Sequence, residues 1–121
     1  MIFIIPYVVY PFDLMVAINE PYSAIKKELK KCLPNNDDNK AGIKEFKGKY
    51  EGRTIMFSGG QTCISLNSTK HGLISHEVFH AVEFLFRRIY IPLTLESGEA
   101  YAYFISYIVD EIYKHLDVVK A

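Results

Sequence analysis

The sequence predicts an α+β domain, a small antiparallel sheet packed on two long helices. Three observations carry that expectation. Residues 2–10 and 43–66 are rich in Ile, Val, Phe, Tyr and Thr and are broken by glycine-containing turns, which is strand chemistry. From about Ser68 or Thr69 the apolar residues recur at spacings of one, three and four, which is helix chemistry. The 121 residues, half of them hydrophobic, suit one compact domain and leave no room for a second.

The elements follow in order. Residues 2–10 read as a buried strand, or as two short ones broken at Pro6. Asn19, Glu20 and Pro21 form a helix start, a capping side chain followed by an acid and a proline in the first turn. That helix runs through Ser23 to about Leu33 and stops before Pro34. Its Lys26, Lys27, Lys30 and Lys31 make a solvated face. Residues 34–42 are polar and aperiodic and read as a loop. Ile43–Tyr50, Arg53–Ser58 and Thr62–Leu66, joined at Glu51-Gly52 and Gly59-Gly60, read as a three-stranded antiparallel meander. A helix to about Arg88 follows, with Leu73, Ile74, Val78, Ala81, Val82 and Leu85 on its apolar side. A short connection over 89–95 leads to a second helix, from Leu95 or Glu96 to about His115.

Composition removes several functional classes. Fourteen basic and fourteen acidic residues cancel, so there is no electrostatic reason to expect nucleic acid or an anionic membrane as partner. Cys32 and Cys63 are too few for a disulfide framework and read as reduced and internal. The apolar first twelve residues lack a basic n-region and contain Pro6 and Pro11, and they are too short to span a bilayer. A cytoplasmic protein is expected, or one of the host cytoplasm or virion if a phage encodes it. The oligomeric state is not legible.

The chemistry is concentrated in His76-Glu77-Val78-Phe79-His80. Histidines four apart on a helix lie about 40° from each other, one turn up, so both imidazoles can reach one metal ion. Glu77 points to the side of that pair, where it can hold a water that the metal activates. Zinc catalysis needs this set: three protein ligands, an open position for water, and a base beside it. The bland alternative is that both histidines are ordinary surface residues of an amphipathic helix. The strong helical periodicity around the motif and an acidic residue further along favour the metal.

His76-Glu77-x-x-His80, then 18 residues, then Glu99 in Gly98-Glu99-Ala100-Tyr101-Ala102, resembles the gluzincin class of zinc peptidases. That class includes thermolysin-like enzymes, related aminopeptidases and single-domain minigluzincins. The pattern is also similar to short His-Glu-x-x-His proteins of bacteria and their phages that share the Glu-Ala-Tyr-Ala-Tyr second motif. The resemblance covers residues 54–107. It implies a zincin-like metallopeptidase domain spanning residues 1–121, with Zn2+ held by His76, His80 and Glu99. It also implies Glu77 as general base and acid, and an edge strand that binds an extended peptide. Where the larger enzymes carry an aspartate to orient the first histidine, this chain has Tyr103, whose hydroxyl can accept an imidazole N–H. The second domain from which those enzymes recruit an oxyanion donor has no counterpart here.

Chain geometry agrees with Glu99 as third ligand. From His80 to Arg88 the first helix overshoots the metal by about 12 Å. A second helix starting near residue 95 climbs back far enough by Glu99, but not by Glu96. Glu83 shares the histidine helix and could be an outer-sphere acid or an alternative ligand, but reads more readily as the i,i+4 partner of Arg87. Glu99, Tyr103, Ser106 and Asp110 form one stripe that could face the metal. Tyr101 or Tyr107 could reach the cleft as an oxyanion donor, although tyrosines at this spacing are more often core. His71 and His115 face elsewhere.

The expected function is therefore hydrolysis of a peptide lying along Arg53–Ser58 or Thr62–Leu66. Two alternatives remain: a non-catalytic zinc-binding structural or regulatory protein, such as a small phage or virion component, and a regulatory metallopeptidase that cuts a repressor.

Overall fold

A computed structural model describes the backbone of residues 1–120 and side chains through Asp117. Among these residues, strands and helices follow in pairs: β1 (Ile2–Pro6), β2 (Asp13–Ile18), α1 (Tyr22–Cys32), α2 (Asp37–Lys44), β3 (Gly52–Met56), β4 (Thr62–Leu66), α3 (His71–Arg88) and α4 (Gly98–Lys120). The class is α+β, but the sheet is mixed rather than antiparallel. Its order is β1-β2-β4-β3, and the central pair β2 and β4 runs parallel.

The two inner strands explain the difference. In β2, Leu14, Val16 and Ile18 face one layer while Met15 and Ala17 face the other, and all five are buried. A strand covered on both faces loses its polar alternation and becomes a continuous apolar run, which periodicity alone does not separate from helix. That is why Asp13–Ile18 carried no strand signal of its own. β4 is likewise buried along its whole length.

The meander expected over 43–66 is only its second hairpin, β3 with β4. Ile43 belongs to α2, and its side chain packs beneath the sheet with Phe46 and Phe57. The region read as a loop holds that helix because Asn36 caps it, its Oδ1 accepting the Asn39 N–H at 2.8 Å, with Asp37 and Asp38 in the first turn. Asn19 does not cap α1. It sits at φ +55°, its N–H bonded to the Leu66 carbonyl, and Pro21 precedes the first turn instead.

Helices cover both faces. α3 and α4 pack on one side through Ile74, Val78, Leu85, Ile108 and Ile112. α1 and α2 pack on the other through Ile25, Leu29 and Ile43. Fully burying one such aliphatic side chain contributes about 1.5–3 kcal/mol. The four lysines of α1 are exposed, as a solvated face requires. No helix among the described residues is long and apolar enough to cross a membrane.

Candidate metal and peptide site

α3 lies over β3 and β4, so one side of the helix is core and the other is solvent. Ile74, Val78, Ala81 and Leu85 supply the core side. Four-residue spacing places His76 and His80 together on the outer side, with ring centroids 4.7 Å apart and Nε2 atoms 3.1 Å apart. Two nitrogens bound to one tetrahedral zinc at about 2.0–2.1 Å stand about 3.3 Å from each other. The pair is therefore spaced to share an ion.

Glu83 lies near His80. One carboxylate oxygen lies 3.7 Å from His80 Nδ1 and the other 3.5 Å from Arg87 Nη2. The i,i+4 pairing with Arg87 is present, and the same carboxylate stands beside the His80 ring nitrogen that is not turned to His76.

Glu77 points sideways, toward the sheet, and is only 5% exposed. The Thr54 hydroxyl on β3 donates to its Oε2 at 2.7 Å, and the Glu77 carbonyl lies 3.2 Å from the same hydroxyl. Gly52 makes room for it, since a Cβ there would lie 2.8 Å from Glu77 Cγ and 2.9 Å from Leu73 Cδ1. Glu77 Oε1 has no protein partner among the described residues.

The strand beside Glu77 is the open edge of the sheet. β4 is paired on both sides, so Thr62–Leu66 has no edge to offer a peptide; β3 has one. Phe57 N–H bonds Gln61 C=O, and Asn67 N–H bonds Glu51 C=O, which fixes the antiparallel phase. In that phase Arg53 and Ile55 bond inward, and the backbone groups of Gly52, Thr54 and Met56 face outward. Next to this edge runs an open groove of about 500 Å³ lined by residues 54–58 with Phe84, Arg87 and Arg88. Phe84 stacks on His80, with centroids 6.1 Å apart, and so joins groove to histidine pair.

The remaining expected residues lie elsewhere. α4 begins at Gly98, not near residue 95, because Thr94 and Ser97 close a turn first, with Thr94 N–H donating to Ser97 Oγ at 2.8 Å. Glu99 therefore occupies the first turn and is exposed. Tyr101, two residues on, packs edge-on against Phe86, six residues beyond His80 or about 9 Å along α3. Among the described residues, no group of three His, Cys, Asp or Glu side chains is arranged to hold a metal ion. The stripe Glu99, Tyr103, Ser106 and Asp110 is the solvent face of α4 and does not turn toward α3. Tyr103 is 74% exposed and lines a separate apolar pocket with Val8, Val9 and Tyr107. Tyr101 and Tyr107 donate to the carbonyls of Ile91 and Pro6, so neither hydroxyl is an oxyanion donor. His71 bonds Tyr113, and His115 stacks on Phe3.

Sequence reasoning passed over Gly52, Thr54, Phe84 and Arg88. No local signal marks the first two, because their contact with Glu77 spans more than twenty residues. Arg88 had one available signal, a second cation at the helix end. No family model, curated protein or solved structure matches the chain, so the functional reading rests on this geometry.

Proposed function

We propose that the chain is a zinc-dependent peptidase of gluzincin type that acts on an extended peptide laid along β3. The observation that carries the reading is the His76–His80 pair at 3.1 Å, with the intervening Glu77 buried and held by Thr54 of the edge strand. His76 and His80 would hold the ion through Nε2. Glu99 is proposed as third ligand on the spacing of the sequence pattern; Glu83, already beside His80, is the competing carboxylate. A bound zinc would supply Lewis acidity and a water acidic enough to ionise near neutral pH.

The chain's own residues do the rest. The outward backbone groups of Gly52, Thr54 and Met56 bind the substrate as an added strand. Glu77 Oε1 takes the proton of the attacking water and returns it to the departing amine. Thr54 holds Oε2, which fixes the carboxylate against the edge strand.

A second reading, a protein that binds zinc or a peptide without cutting it, is favoured by the separation of Glu99 from the histidines. One set of measurements divides the two. Protein purified without chelator is expected to carry about one zinc per chain. Glu77→Gln should keep the metal and abolish cleavage of a peptide library. Glu99→Ala should weaken zinc binding far more than Glu83→Ala or Glu96→Ala. No zinc after reconstitution overturns the metal site. Zinc without any Glu77-dependent cleavage establishes the second reading. A larger loss for Glu83→Ala assigns the third ligand to Glu83.

A further inference from the structure

Residues 54–58 of the edge and Phe84, Arg87 and Arg88 of α3 line one groove whose character changes along its length. Toward His80 it is bordered by Phe84 and the Thr54 hydroxyl; toward the C-terminus of α3 it is bordered by two guanidinium groups. Arg87 is partly neutralised by Glu83 at 3.5 Å. Arg88 has no carboxylate within ion-pair distance among the described residues. Its guanidinium carbon lies 5.4 Å from the centroid of the Phe12 ring. It also occupies space left by Gly60, which turns the β3–β4 hairpin at φ +98° and whose Cβ, if it had one, would lie 2.9 Å from Arg88 Nε. A cation held by an aromatic face and a glycine turn, at one end of an otherwise apolar groove, is complementary to a carboxylate.

We infer that the groove selects an extended peptide carrying an acidic side chain about three residues from the position facing His80. The spacing follows from the two elements. Arg87 and Arg88 lie seven and eight residues past His80, about 10–12 Å along the helix axis. A strand added to β3 covers that distance in about three residues at about 3.3 Å each. The carboxylate is taken to be that of an internal Asp or Glu side chain. The inference rests on the peptide-binding part of the proposed function and adds the substrate class.

The test measures binding apart from cleavage. Glu77→Gln protein is titrated into short fluorescein-labelled Thr/Val peptides that carry one Glu, moved stepwise along the chain, or Gln in its place. Anisotropy should show one position at which Glu binds about tenfold more tightly than Gln. Arg88→Gln should erase that preference, and Arg88→Glu should transfer it to a further peptide carrying Lys at the same position, with the thermal melt unchanged. Equal binding of Glu and Gln peptides at every position overturns the inference. So does the absence of any peptide binding, or a preference that Arg88→Gln leaves intact. Selective binding by the variant together with no cleavage by the parent protein removes only the hydrolase reading.

Discussion

At the residue scale the site depends on two small side chains that carry no chemistry of their own. Gly52 leaves the space that Glu77 fills, and Thr54 satisfies the carboxylate oxygen that burial would otherwise strand. Thr54→Val keeps the shape and removes the donor, so it should cost about 1–3 kcal/mol, the penalty of an unpaired buried acceptor. Gly52→Ala should cost about 1–3 kcal/mol by overpacking, since the new methyl meets side-chain atoms of Glu77 and Leu73. Urea denaturation reads both as a lower midpoint with an unchanged slope. Part of the Gly52→Ala penalty should disappear in a Glu77→Ala background, because neighbouring substitutions do not add. Full additivity would mean that the glycine and the glutamate are not in contact.

At the element scale the helix termini decide which reading of the sequence succeeds. α3 ends at Arg88, as its periodicity predicts, and β4 spans Thr62–Leu66, as its composition predicts. α2 was missed because its eight residues bury only Asn39 and Ile43 and give almost no apolar period. It depends on its cap. Asn36→Ala should lower stability by about 1 kcal/mol, seen as a shifted urea midpoint. An unchanged midpoint would show that packing of Ile43 and Phe46 holds the helix without the cap. The start of α4 is the costlier difference. A displacement of two or three residues, caused by the Thr94–Ser97 turn, puts Glu99 where the climb back toward His80 has only begun.

At the scale of the whole molecule, helices on both faces of the sheet give the two cysteines different fates. Cys63 lies in a central strand and is fully buried, and burial pushes its thiol well above the ordinary range. Cys32 ends α1 and is exposed, contrary to its expected internal position. One thiol should react promptly with a disulfide reagent in the native protein, and the second only on unfolding; prompt reaction of both would contradict the buried β4. The sign of the pH effect follows. The fold favours the neutral Cys63 thiol, so this contribution is intact below the ordinary thiol range and is lost as pH rises through and above it.

The sequence alone determined the α+β class, the extents of α3 and β4, and the meeting of His76 and His80. Each of these is written in local spacing: a period, a punctuated run, a pair four residues apart on one helix. It also placed Glu77 to the side of that pair. What occupies that side was decided only by tertiary structure, because β3 comes from more than twenty residues earlier and reaches Glu77 through sheet pairing. The parallel pairing of β2 with β4 was decided in the same way, by burial of both faces, which erases the alternation a strand would otherwise show. So was the position of Glu99. Along the chain it stands at the interval that the resemblance implies, but the distance between it and the histidines depends on how a turn between two helices consumes residues.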